Sequence, residues 1–246
     1  MFSFFKRKPA PTGAALEGLS CDMHSHLIPG IDDGAPDMET SVQLIRGLMS
    51  LGYKKIITTP HINADSFPNT PAIIREGQAA VIAELKAQNI AVEFHTAAEY
   101  LLDDGFARAL SNDQKFLTLK DNLILVEFSF VVPAMNIKDI LFQLQLKGYQ
   151  PVLAHPERYL YFGANKAWYD QLRDAGCLFQ LNLLSFRGHY GKEAHQLADY
   201  LIKKGYFELL GTDLHRLQHL DGLHSPRIAQ KVADLLETGR ILNPQL

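Results

Sequence analysis

From Leu19 onward, short apolar runs alternate with longer amphipathic stretches. The runs at 19–23, 55–59, 91–96, 123–128, 151–154, 178–181 and 207–210 have the length and apolar content of buried strands. Between them, 37–51, 70–88, 137–147, 165–175, 192–203 and 225–236 repeat apolar residues at helical spacing. In the first of these, Leu44, Ile45, Leu48 and Leu51 make one apolar face. Gly52, Gly148, Gly176 and Gly205 stand where helices end. Residues 101–118 break the rhythm and predict no element. Strands that alternate with helices predict a parallel sheet with helical crossovers, barrel or doubly wound.

The composition of the 246 residues, 47% hydrophobic and 21% charged, excludes disordered, collagenous and coiled-coil chains. One large domain over 19–246 is expected. Twenty-four Lys and Arg against 27 Asp and Glu leave a net charge of −3, which gives no field suited to nucleic acid. Cys21 and Cys177 cannot build a disulfide framework, so a reducing compartment is expected. No apolar stretch approaches the roughly 20 residues that span a bilayer. At the N-terminus Phe2, Phe4 and Phe5 precede Lys6, Arg7 and Lys8, the reverse of a secretory signal. Residues 1–18 read as a flexible tail. Its first eight residues suit weak contact with the anionic inner leaflet of a membrane. The expected location is cytoplasmic, peripheral to the membrane if that contact is made.

Ten histidines change the picture. The first strand ends Asp22-Met23-His24-Ser25-His26, and residues two apart on a strand face the same side. Later strands end in His61, Glu99, Glu127, His155, and Asp213 with His215. In a parallel barrel all these ends open on one face. Asp32 and Asp33, in the loop after the first strand, add carboxylates. Five imidazoles and several carboxylates exceed one tetrahedral ion, so two or three ions are inferred. Nitrogen and oxygen donors without thiolate suit Mn²⁺, Fe or Zn²⁺. His95, His189, His195, His219 and His224 show no partner pattern. A cysteine phosphatase needs Arg six places after its Cys; Leu27 and Leu183 stand there instead.

The ordered motifs DMHSHLIPGIDDG, ITTPHI, AAE, ILVEFSF, PVLAHPERY and GTDLH resemble the polymerase and histidinol phosphatase (PHP) superfamily. Within it, the chain is similar to the metal-dependent protein-tyrosine phosphatases of bacterial capsule loci, the CpsB/YwqE type. That resemblance implies a distorted seven-stranded α/β barrel of the PHP type, TIM-barrel-like, holding three metal ions, Mn or Fe before Zn. By position, one ion takes His24, His26, Glu99 and Asp213. A second shares Glu99 and adds Glu127 and His155, and a third takes Asp33, His61 and His215. Arg158 matches a family arginine that grips the substrate phosphate. The second family arginine has no match in place, since Arg216 is shifted. The implied substrate is the phosphotyrosine tail of a membrane polysaccharide-export kinase, and the implied activity is phosphotyrosine hydrolysis. A histidinol-phosphatase-like phosphoesterase and a non-catalytic metal-stabilised binding module are the alternative readings; an open mouth would suit a peptide, a lidded pocket a metabolite.

Overall fold

The structure, a computed structural model, describes residues 14–132 and 136–246. The aromatic and basic foot, residues 1–8, lies outside the described residues. The packed chain begins before the expected boundary at residue 18. Leu16 is fully buried, and its N–H donates to the Leu51 carbonyl at 2.8 Å.

The strands among the described residues are β1 (Cys21–Asp22), β2 (Lys55–Thr58), β3 (His61–Ile62), β4 (Glu93–Thr96), β5 (Glu99–Leu101), β6 (Leu123–Glu127), β7 (Gln150–Ala154), β8 (Leu178–Asn182) and β9 (Leu209–Gly211). All named pairs are parallel, in the orders β1-β2-β4 and β3-β5-β6-β7-β8-β9. Pro60 has no N–H to give the ladder, and β2 breaks there before resuming as β3. The pairing crosses the break, because Ala97 N–H donates to Thr58 and Glu99 N–H to Pro60. Counting β2 with β3 and β4 with β5 leaves seven strand lines, as the pattern predicts. Ser25 bridges Leu214 in parallel, and Asp213 N–H donates to the His24 carbonyl at 2.7 Å. These contacts bring the last line beside the first, giving a distorted α/β barrel.

Eight α-helices are described: α1 (Met38–Ser50), α2 (Pro71–Ala87), α3 (Asp104–Ser111), α4 (Ile137–Leu146), α5 (Ala167–Asp174), α6 (Gly191–Lys204), α7 (Leu217–Leu223) and α8 (Pro226–Leu236). Two of them, α3 and α7, arise where the pattern predicts none. The eight-residue α3 buries only Phe106 and Leu110, too few to show a period. It starts because the Asp103 carboxylate accepts from Phe106 N–H at 2.7 Å, an N-cap. The last strand also lies later than its apolar run, and just before it the Glu208 carboxylate is engaged by Arg173 and by Phe179 N–H.

Alternation along β6 and β8 divides the core. Ile124, Val126, Phe179 and Leu181 face the helices. Leu125, with Cys21, Met23, Ile57, Val152, Ala154 and Leu209, fills the barrel interior, where Leu123 and Leu178 pack against it. Buried Asn243 seals this floor. Its Nδ2 donates to the carbonyls of Cys21 and Leu210, and its Oδ1 accepts from Leu210 N–H. The opposite end, at the strand C-termini, carries the chemistry.

Candidate metal centre

Inward-facing positions change from apolar to polar as each strand reaches the mouth. On β6 the series is Leu123, Leu125, Glu127; on β8 it is Leu178, Gln180, Asn182. His61 and Glu99 open β3 and β5 as direct partners across the ladder. His24, His26, His155, Asp213 and His215 follow the ends of β1, β7 and β9. His155 and Asp213 both adopt left-handed backbone, φ 34° and 50°. Such conformations cost about 1–3 kcal/mol for a non-glycine residue and persist where surrounding structure enforces them. Gly211 makes room for this convergence, since a Cβ there would sit 2.8 Å from that of His24 and 2.6 Å from Gln180 Nε2.

Three groups of donors have ligand atoms within 4.8 Å of one another. The first is His24, His26, Glu99 and Asp213; the second is His61, Glu99 and Glu127; the third is His26, Asp33, His61 and His215. His24 Nε2 lies 3.0 Å from Glu99 and 3.4 Å from Asp213. His61 Nδ1 lies 3.0 Å from Glu127, and His215 Nε2 lies 3.3 Å from Asp33. His155 Nε2 meets the other Glu99 oxygen at 2.9 Å. The nine residues singled out in the sequence therefore meet at one mouth. The grouping differs in detail: His26 and His61 each serve two groups, and His155 reaches the cluster through Glu99.

Several imidazoles are aimed from behind. His24 Nδ1 is 2.6 Å from Gln180 Oε1, His26 Nδ1 is 2.8 Å from Asp32, and His215 Nδ1 is 2.9 Å from the Asp213 carbonyl. Each partner is an acceptor, so Nδ1 keeps its proton and Nε2, which faces the mouth, is the nitrogen that would give one up to bind a cation. Asp32 also accepts from the N–H groups of Gly34 and His61, which ties two loops together. The buried atoms His26 Nε2 and His61 Nδ1 have no hydrogen-bond partner among the described residues. Buried polar nitrogens without a partner are costly unless something else satisfies them. A buried, unpartnered imidazole nitrogen among carboxylates is what a cation would satisfy, so the donor set fits metal ions.

The titration shifts follow from crowding. Burial alone would push His24 down, but the Glu99 and Asp213 carboxylates outweigh it and hold the imidazole up at about 9. Burial would raise Asp213, yet the His24, His215 and Arg158 charges hold it well below the carboxylate range. Burial and then the Arg158 charge push His155 down to about 4, leaving a neutral imidazole. Burial also pushes Glu127 up, with Glu99 adding repulsion.

Arg158 Nη1 donates to Asp213 Oδ2 at 2.6 Å, and Asn182 Nδ2 donates to the same oxygen at 2.9 Å. The guanidinium lies between the rings of Phe130 and Tyr190, 4.7 and 4.2 Å from their centroids. Glu157 turns away into the core, accepting from Asn182 N–H and Ser185 Oγ. Arg216 is exposed beside the start of α7. Sequence reasoning missed Gln180, Phe130 and Tyr190. The period-two placement of Gln180 before Asn182 was a signal for the first; the rings come from loops, which carry none. His219 is buried with its ring 5.9 Å from that of His215, nearer the site than its isolation in the sequence implies. His95 is exposed on β4. Both cysteines are buried, and burial pushes each thiol up to about 12.

Fold and site together define a parallel α/β barrel with a candidate metal centre at the C-terminal mouth. The chain belongs to the family described as capsular polysaccharide synthesis, CpsB/CapC, whose family profile matches residues 20–237. It is similar to the tyrosine-protein phosphatase YwqE of Bacillus subtilis, 30% identical over 80% of this chain and 78% of that protein. The tyrosine-protein phosphatase CpsB of Streptococcus pneumoniae is 28% identical over 80% and 83%. Among solved structures, one from a study of YwqE and CpsB as metal-dependent tyrosine phosphatases superposes with TM-score 0.78 and 29% identity. It covers 87% of this chain and 86% of that one.

Proposed function

We propose that this chain is a metal-dependent protein-tyrosine phosphatase. The carrying observation is a buried cluster of imidazole and carboxylate donors with Arg158 fixed at its edge. The relatives' names agree with it. His24, His26, Glu99 and Asp213 would hold one ion, Glu99, Glu127 and His155 a second, and Asp33, His61 and His215 a third, with Mn²⁺ or Fe before Zn²⁺. Bound there, such ions lower the pKa of water towards neutrality and neutralise charge on phosphoryl oxygens.

The chain's own residues do the rest. Gln180, Asp32 and the Asp213 carbonyl hold Nδ1 of three imidazoles, so that each would turn Nε2 towards an ion. Neutral His155 needs no deprotonation before it acts as a donor. Arg158, anchored by Asp213, keeps further N–H groups for a phosphate oxygen, a charge-assisted pairing of fixed geometry. Tyrosinate, the anion of a phenol that ionises at about pH 10, leaves without a dedicated general acid. The proposed physiological substrate is the phosphotyrosine tail of a membrane tyrosine kinase in polysaccharide export, which gives the protein a cytoplasmic place. No helix among the described residues is long and apolar enough to cross a membrane.

The test is a paired assay with metal analysis, on phosphotyrosine peptide and histidinol phosphate. Turnover of the peptide by the Mn²⁺-loaded protein, with little on histidinol phosphate, is expected. Preference for the metabolite, or turnover of neither, overturns the reading.

A further inference from the structure

Phe130 is 47% exposed, whereas Phe128 on the same strand end is buried. An aromatic ring half in water beside a polar mouth is not explained by core packing. Its position is nevertheless defined. The ring stacks on His155, centroids 5.5 Å apart at 27°, and on Tyr159 at 5.4 Å and 30°. It also covers the Arg158 guanidinium. The loop beneath is pinned where Tyr161 donates to the Ser129 carbonyl at 2.9 Å and Phe128 N–H donates to the Tyr159 hydroxyl at 3.0 Å. Val131 and Val132 extend the apolar lip outward, 87% and 62% exposed.

We propose that Phe130 is a specificity-determining residue that stacks on the aryl ring of the substrate and so selects aryl over alkyl phosphate monoesters. The inference rests on the phosphatase reading and names what that site discriminates. An anion held against Arg158 brings the group bonded to its ester oxygen beside the ring that covers the same guanidinium. An aryl group there meets a π face in offset or edge geometry; an alkyl chain gains only ordinary contact. The phosphate itself is recognised identically in both cases.

Binding of phenylphosphonate and methylphosphonate to the Mn²⁺-loaded protein, measured by calorimetry, separates ring from anion without requiring turnover. The wild type should prefer the phenyl compound. Phe130→Ala should lose roughly 3–10-fold of that preference, with Phe130→Leu between them. The ratio of kcat/KM for phenyl phosphate over β-glycerophosphate should fall in parallel. Melting temperatures of the variants control for folding. An unchanged preference in Phe130→Ala, or no preference in the wild type, overturns the proposal. A wild type that prefers phenylphosphonate but hydrolyses no phosphotyrosine peptide refutes the phosphatase reading alone.

Discussion

At the scale of single residues, His155 and Arg158 stand three positions apart and do different work. His155→Ala removes a donor from the Glu99 group, so phosphotyrosine hydrolysis should fall by more than the about 10–100-fold typical of an outer-shell loss. The protein should stay folded, since one imidazole is lost at the barrel mouth while the apolar core below it is untouched. Wild-type turnover in that variant would refute its place in the centre. Arg158→Ala should lower kcat/KM by about 10²–10³-fold while bound metal, read by elemental analysis, is unchanged. A surface pairing with Glu157 would have made this mutation nearly silent. Glu157 instead faces Asn182 and Ser185 in the core. The cysteines give a third expectation. A thiol held near 12 is scarcely ionised at pH 8, so iodoacetamide should leave both unmodified and activity intact. Rapid loss of activity on alkylation would point to thiol chemistry.

The barrel floor shows how one side chain joins elements far apart in the chain. Asn243 satisfies the carbonyl of Cys21 on β1 and both backbone groups of Leu210 on β9. Asn243→Ala strands these buried groups, at about 1–3 kcal/mol each before water enters. A fall in Tm of about 6 °C or more is expected by calorimetry, from the lower bound for three groups and a conversion of about 2–4 °C per kcal/mol at this size. Catalysis below the transition should be little changed, because the floor lies at the opposite end from the mouth. A Tm within a degree of the wild type would mean that the floor is held by other contacts. The pattern of apolar runs located these strands well, and their order placed the floor and the mouth. It did not find α3 or α7, whose few buried side chains cannot outweigh their polar surroundings in any sequence window.

On the scale of the whole molecule, the centre is a crowd of acids and bases whose charges offset one another. Glu99 touches four imidazoles, so loss of a bound cation would leave a network of unmatched carboxylates. EDTA should abolish phosphatase activity and lower Tm, and Mn²⁺ should restore both. Full activity after exhaustive chelation would exclude the mechanism. A drop in activity with no change in Tm would mean that the ions contribute chemistry but little to folding.

The parallel alternating architecture, the seven strand lines and the side chains at their ends were legible in the chain's own pattern. Period-two placement and strand order are local properties, and a parallel barrel sends every strand end to one face. The grouping emerged with the folded barrel: His26 and His61 each span two clusters, and Gln180 aims His24 across 156 residues. Distances between side chains on different strands depend on barrel tilt and stagger, which no single strand encodes. The sandwich of Arg158 between Phe130 and Tyr190 is the clearest case. Both rings sit in irregular segments with no period to read, and they meet the guanidinium only because three separate strand ends converge on the same mouth.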